Sequence, residues 1–133
     1  MAEIANITFA CQDPAALAGF WAAALGYQIQ EAPPGFMEAL LEQGEDPNSA
    51  AAAVDPAGRS PRLFFLKMKK RPEVPGTSIP IHLDIHTPDR EAEVKRLQEL
   101  GATVVETRTR TVGPYSETWT VMRDPEGNGF CVQ

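Results

Sequence analysis

The 133-residue sequence has little of what marks the specialised classes of protein. Its two cysteines are too few for a disulfide framework in a chain of this length, so we expect free thiols in a reducing compartment. No apolar run approaches the roughly 20 residues that span a bilayer. The first residues have neither the basic flank nor the apolar core of a signal peptide. These absences predict a cytoplasmic protein with no membrane partner.

Basic residues are also scarce. Lys and Arg number 12 against 18 Asp and Glu, which gives a net charge of −6 at pH 7. Because nucleic acid and anionic lipid surfaces repel a negative chain, neither is expected as a partner. The remaining composition, 43% hydrophobic and 23% charged, is that of an ordinary globular protein, and the length suits one domain.

One turn motif occurs twice, as Asp124–Gly127 (DPEG) and as Asp55–Gly58 (DPAG). Proline presets φ for such a turn, glycine accepts a positive φ, and aspartate bonds the backbone ahead of it. Each copy follows a segment that opens with an alternating strand and an aspartate-capped helix, at Asp13 and at Asp89. The repeated order of elements predicts that the chain consists of two copies of one structural unit.

The predicted fold class is α+β, with two βαβββ modules in a single domain of residues 1–133. Module 1 covers about residues 1–70, module 2 about residues 81–133, and a proline-rich linker covers about residues 69–80. A strand is predicted at residues 36–43 because the second copy has one there, although Glu, Ala and Leu favour a helix locally. A loop is predicted at residues 109–114. The modules are expected to form one curved, mixed eight-stranded sheet around a cleft, with the helices outside.

Strand parity selects the residues that such a cleft would expose. In each half the helix covers the apolar face of the first strand and leaves the polar face bare. Two halves joined edge to edge would curve these bare faces around one cleft. The side chains placed there by parity are Asn6, Thr8, His82, Asp84, His86 and Cys131. Three aromatic residues are candidates for the cleft wall or the core: Phe36, Phe65 and Trp119.

The pattern His82-x-Asp84 is the most polar stretch in an apolar part of the chain. It has three readings: a hydrogen-bonded pair in a wet cleft, recognition of a polar group on a ligand, or general acid–base catalysis by His82 oriented by Asp84. Cys131 is interpreted as a small buried residue, which only activation by a nearby His82 would make reactive.

The sequence resembles the vicinal oxygen chelate superfamily, also called the glyoxalase/bleomycin-resistance/dioxygenase fold, and most closely its small glyoxalase-like proteins. The resemblance covers both halves. It rests on Asp13-Pro14, Gly19–Trp21, Leu25-Gly26, His82–Ile85, residues 93–101 and residues 119–132. It implies a homodimer and a range of functions that includes isomerases, lyases, dioxygenases, thiol transferases and drug-binding proteins.

In metal-dependent members of this superfamily, a His-type ligand opens each half and a carboxylate lies on the last strand of each half. The opening positions here hold Asn6 and His82. The final strand holds Cys131, and residues 61–68 contain no acid. One ligand of four is kept, whereas a catalytic divalent site usually needs about three.

We therefore expect no metal cofactor and a small, largely apolar or aromatic ligand in the cleft. The alternative is a lyase, isomerase or dioxygenase, which either depends on a divalent metal ion or uses His82 and Asp84 as acid and base. Whether the protein is an enzyme stays open at this point.

Overall fold

The computed structural model describes residue 1 and residues 3–68, 82–112 and 114–133. The predicted linker and Ile81 lie outside the described residues. The chain divides into two compact units, Met1–Pro72 and Glu73–Gln133. Within the described ranges, no helix combines the length and the apolar character needed to cross a membrane.

The first unit is a four-stranded sheet with two helices. Its strands run in the order β1-β4-β3-β2, with β1 parallel to β4 and the other neighbours antiparallel. The elements are β1 (Asn6–Cys11), α1 (Pro14–Leu25), β2 (Gln28–Ile29), α2 (Phe36–Glu42), β3 (Ala50–Val54) and β4 (Arg62–Lys67).

The second unit repeats this arrangement. Its sheet order is β5-β8-β7-β6, and its first strand again runs parallel to its last. The elements are β5 (Leu83–Ile85), α3 (Arg90–Glu99), β6 (Thr103–Val112), β7 (Tyr115–Arg123) and β8 (Gly129–Val132). The α+β class and the two similar modules are therefore confirmed. The eight strands are divided between two four-stranded sheets, where one eight-stranded sheet was predicted.

The long helices begin and end where their sequence signals predict. Asp13 caps α1 by accepting a backbone N–H three residues on, at 3.2 Å, and Asp89 caps α3 in the same way at 3.1 Å. Gly26 follows α1 with φ 68°, and Gly101 follows the last turn of α3 with φ 112°. Both glycines supply the positive φ that lets the chain leave a helix and turn back toward its sheet.

Each sheet is covered on one face by its helix. In the first unit the Phe9 ring lies 5.5 Å from Trp21 of α1 and 5.1 Å from Phe65, and Trp21 and Phe65 are buried. In the second unit Leu97 of α3 and Phe130 of β8 are both 0% exposed. This packing leaves the other face of each sheet free to carry polar side chains.

The strand predicted at residues 36–43 is wrong, since the segment forms α2. Gly35 starts this helix with φ 80°, and Glu38, Ala39 and Leu40 are good helix formers. The prediction copied the second half, but local propensity decides here because α2 has no buried residue through which packing would override it.

The loop predicted at residues 109–114 is also wrong over most of its length, because β6 continues to Val112. The β-branched threonines favour a strand and bond across to β7. The hydroxyls of Thr109 and Thr118 are 2.9 Å apart, and those of Thr111 and Ser116 are 3.1 Å apart.

Both predicted aspartate turns are present. Asp124 accepts the backbone N–H groups of Glu126 and Asn128, each at 2.9 Å, and the side-chain amide of Asn128 at 2.7 Å. Asp55 likewise accepts three backbone N–H groups. The two turns differ in burial, because Asp124 is only 3% exposed whereas Asp55 is more accessible. A buried carboxylate that organises a turn is hard to replace.

This difference predicts unequal effects on stability. Asp124→Ala leaves two part-buried N–H groups without an acceptor and should lower the free energy of unfolding by about 1–3 kcal/mol. Asp55→Ala is the matched control and should lower it by less, because water replaces the lost acceptor there. Urea-induced unfolding measures both changes. Equal losses would contradict a special role for the turn between β7 and β8.

Candidate functional site

The register of the second sheet brings Asp84 and Cys131 side by side. Asp84 of β5 pairs with Cys131 of β8, and Cys131 in turn pairs with Val121 of β7. Register partners lie on the same face of a sheet, and His82 precedes Asp84 by two residues, so it shares that face. We call the side of the sheet that carries Asp84, Cys131 and Val121 the cavity face.

A cavity of about 490 Å³ lies on the cavity face, within the size range of small-molecule sites. All of its lining residues belong to the second unit. They are His82, Asp84, Val105, Arg108, Glu117, Trp119, Val121, Met122, Arg123, Cys131 and Gln133. Its wall therefore combines an indole and aliphatic side chains with charges of both signs.

Three groups with different chemistry converge at this wall. His82 Nε2 lies 3.4 Å from Asp84 Oδ1, and ligand atoms of His82, Asp84 and Cys131 all lie within 4.8 Å of one another. The His82 and Asp84 side chains are 33% and 54% exposed, whereas Cys131 is 6% exposed. An imidazole and a carboxylate thus reach solvent beside a buried thiol.

The thiol of Cys131 is not activated by its surroundings. Burial raises the pKa of Cys131 above its usual value, the nearby Asp84 carboxylate raises it further, and the Arg108 guanidinium opposes both. The thiol is therefore protonated at neutral pH, and reactive cysteines have the opposite shift. Arg108 is itself paired with Glu106, which weakens its pull on the thiolate.

Sequence reasoning missed several wall residues, above all Arg108 and Arg123. Arg108 pairs in register with Trp119 across β6 and β7. Arg123 donates to the carbonyl oxygen of Gly127 at 3.1 Å. The Thr-Arg alternation of residues 107–111 was the available signal, since it gives β6 one hydroxyl face and one cationic face. The alternation was not recognised because a loop was predicted at residues 109–114.

The structure places the predicted site residues in two groups. His82, Asp84, Trp119 and Cys131 line the cavity of the second unit. His86 also belongs to the second unit, but it is exposed and does not line the cavity. The others belong to the first unit, where Asn6, Thr8 and Phe36 are exposed and Phe65 is fully buried in the core under α1.

The adjacent Phe64 shares a sheet face with Thr8, because the two are register partners in β4 and β1. Period-two alternation therefore assigns Phe64, not Phe65, to the face opposite α1. Both neighbours are phenylalanines, so the sequence alone gave no reason to prefer one.

The metal positions of the superfamily fit poorly in the first unit. The Asn6 side-chain oxygen accepts a hydrogen bond from Arg62 at 2.8 Å, so a guanidinium cation already occupies its acceptor. Arg62 also lies 5.1 Å over the ring of Phe64, and β4 carries no acid. A resident positive charge disfavours a divalent cation. The residues present therefore do not support the four-ligand site that the superfamily implies.

The family of the chain follows from its sequence as well as from this fold. Residues 6–133 match the family described as glyoxalase-like domain. The chain therefore belongs to the glyoxalase-like domain family, within the vicinal oxygen chelate superfamily that the sequence resembles. No curated protein matches the chain.

Solved structures of the same fold have low sequence identity to the chain. A glyoxalase/bleomycin resistance protein/dioxygenase family enzyme from Burkholderia phytofirmans PsJN is 16% identical, with a TM-score of 0.65 over 98% of this chain and 97% of that one. A possible glyoxalase from Bacillus cereus is 16% identical, with a TM-score of 0.62 over 100% and 99%. TioX from Micromonospora sp. ML1 is 13% identical, with a TM-score of 0.58 over 98% and 97%. At these identities the likeness shows the fold alone.

The electrostatics of Cys131 predict how its thiol reacts. In a Cys11→Ser background, where Cys131 is the remaining cysteine, iodoacetamide should alkylate the protein slowly at pH 8. Asp84→Asn removes a charge that raises the pKa of Cys131, so the rate should rise roughly threefold. Arg108→Met should lower the rate, since it removes the opposing cation.

Mass spectrometry of quenched samples follows the alkylation. Glu91→Gln is the control, because Glu91 lies on α3, which covers the other face of the sheet, and its side chain is 85% exposed. Rates that are equal in the Asp84 and Glu91 variants would show that Asp84 does not act on the thiol.

Proposed function

We propose that the cavity of the second unit binds a small molecule with an aromatic or largely apolar body. The observation that carries the proposal is the composition of the cavity wall. Trp119, Val121 and Val105 offer an apolar surface, and an indole is well suited to stack against a planar ring. A volume of about 490 Å³ suits a molecule of drug or metabolite size.

The polar part of the wall selects how such a molecule is oriented. His82 and Asp84 offer a donor and an acceptor that reach solvent, and Arg108 and Arg123 add positive charge. Small-molecule sites typically pair an apolar body with a few polar groups that fix orientation. The proposed ligand is therefore a ring or chain that carries at least one polar group, which His82 and Asp84 hold.

Binding in this proposal does not use the four-ligand metal site of the superfamily, because Asn6 and β4 fail to provide its first-unit half. One structural neighbour of the chain is described as a glyoxalase/bleomycin resistance protein/dioxygenase family enzyme. At 16% identity that description does not select between binding and catalysis for this chain. The homodimer implied by the resemblance stays a prediction.

The aromatic wall gives a direct test. The uncharged dye N-phenyl-1-naphthylamine should bind the protein with increased fluorescence, and Trp119→Ala should weaken its affinity at least about tenfold, through lost stacking and lost apolar area. Titration of dye fluorescence measures both affinities.

Tyr115→Ala is the matched control, because Tyr115 is an aromatic residue on the same face of the same strand but does not line the cavity. It should leave the affinity unchanged. Equal affinities of the wild type and the Trp119 variant, with both folded by circular dichroism, would overturn the proposal.

A second candidate function is acid–base catalysis on a molecule bound in the same cavity. It is favoured by the 3.4 Å separation between His82 Nε2 and Asp84 Oδ1, since a carboxylate beside an imidazole orients the ring for proton transfer. Such an enzyme would be a lyase or an isomerase that needs no metal ion.

For any compound whose conversion is detected, His82→Ala separates the two functions. Catalysis predicts that kcat falls by about 10²–10⁴ with little change in ligand affinity. Recognition alone predicts weaker affinity. His86→Ala is the control, because it removes the chain's other histidine. If His82→Ala changes neither kcat nor ligand affinity, both roles are excluded for His82.

A further inference from the structure

The sheet of the first unit carries the cationic side chain of Arg62 on the face opposite α1. Arg62 is the first residue of β4, and alternate residues of a strand point to the same side of the sheet. We call this side of the first sheet the Arg62 face. The other residues that β4 and its register partner β1 place on it are Phe64, Leu66, Asn6, Thr8 and Ala10.

The guanidinium group of Arg62 is held by three separate parts of the first unit. Its Nε donates to Gln30 Oε1 at 2.7 Å, and its Nη1 donates to Asn6 Oδ1 at 2.8 Å. Its Cζ lies 5.1 Å from the centroid of the Phe64 ring. An arginine whose position is fixed before a ligand arrives loses less side-chain entropy when the ligand binds.

The positive charge of Arg62 is not neutralised by these contacts, because both acceptors are neutral amides. Within the part of the chain that the structure describes, Arg62 forms no ion pair, whereas Arg96 and Arg108 are paired with Glu93 and Glu106. A guanidinium has five N–H donors, and both of those on Nη2 have no acceptor within the described residues. A positioned guanidinium with spare donors is well suited to bind a carboxylate or a phosphate.

The charge balance favours a carboxylate over a phosphate. One guanidinium matches the single charge of a carboxylate, whereas a phosphate group carries close to two charges at neutral pH. The net charge of −6 opposes the approach of a second negative charge. Beyond the Phe64 ring, the Arg62 face continues with Leu66, which is 37% exposed, and its register partner Ala10. These two side chains offer an apolar surface for the rest of an organic acid.

We propose that Arg62, held by Asn6 and Gln30, binds the carboxylate of a small organic acid on the first unit. Leu66 contacts the apolar part of the acid. The site goes beyond the proposed function, because none of these residues lines the cavity of the second unit. It also takes an anion, whereas the metal site that the superfamily implies takes a cation.

Benzoate is a suitable probe because it joins one carboxylate to a small apolar ring. In nitrogen-15 NMR spectra of the full-length protein, benzoate should cause saturable shifts of the Arg62 Nε–H signal and of the Asn6 and Gln30 side-chain amide signals. The Arg62→Gln variant identifies the Nε–H signal by its loss. Benzamide is the matched control, since it has the same ring without the charge, and it should leave these signals unchanged.

Two variants test the role of the unpaired charge. Arg62→Gln should weaken benzoate binding at least about tenfold, because the charge-assisted hydrogen bonds are lost. Asn6→Asp should weaken it to a similar extent, because a carboxylate beside Arg62 neutralises the guanidinium from within the protein. Gln43→Glu is the control for Asn6→Asp, since it adds the same charge at the end of α2 and should leave the affinity unchanged. For the Arg62→Gln variant, the amide signals of Asn6 and Gln30 report binding.

The Asn6→Asp variant keeps the arginine, so the test stays decisive if Arg62→Gln fails to fold. The absence of saturable shifts, or equal shifts with benzoate and benzamide, would overturn the proposal. Full benzoate affinity in a folded Asn6→Asp protein would overturn it too. These outcomes do not affect the dye-binding result, which depends on Trp119, so failure of this site is distinguishable from failure of the proposed function.

Discussion

The register of β8 is the constraint on which the rest of the second unit depends. β8 is four residues long and lies between β5 and β7, so a shift by one residue would move Cys131 from the cavity face into the space beneath α3. The buried Asp124 turn prevents that shift, because it joins β7 to β8 through three hydrogen bonds. The fully buried Phe130 and Val132 hold the same register from the helix side. The chemistry of the cavity wall thus rests on a turn that does not itself line the cavity.

Much of this architecture is readable from the sequence because its signals are local. Asp13 and Gly26 mark the ends of α1 within the helix's own residues, and the aspartate turns are specified by four or five consecutive residues. The alternation of residues 81–86 assigns His82 and Asp84 to one face of a strand without knowledge of the partner strand. Such features need only short-range hydrogen bonding and strand parity.

Other features depend on pairings that no local pattern contains. The parallel pairing of Asp84 with Cys131 joins residues far apart in the chain, and it becomes visible only when the register is known. The position of Phe65 was left open for the same reason, since the run of four apolar residues in β4 leaves its parity undecided until β1 is placed beside it. The strand predicted at Phe36 failed for a different reason, because analogy between repeats was set above the helix propensity of the segment itself.

Corresponding positions in the two units hold side chains of different charge on a similar backbone. Counting back seven residues from each capping aspartate places Asn6 in correspondence with His82 and Thr8 with Asp84, and the parallel register then makes Phe64 the counterpart of Cys131.

In the first unit these positions surround a cation, because Arg62 bonds to Asn6 and lies over the Phe64 ring. In the second unit they hold an imidazole, a carboxylate and a thiol. A duplicated fold that keeps its caps, turns and register can therefore carry different chemistry at corresponding positions of its two halves. The sheet fixes where the side chains meet, and their identity alone decides what the meeting point can bind.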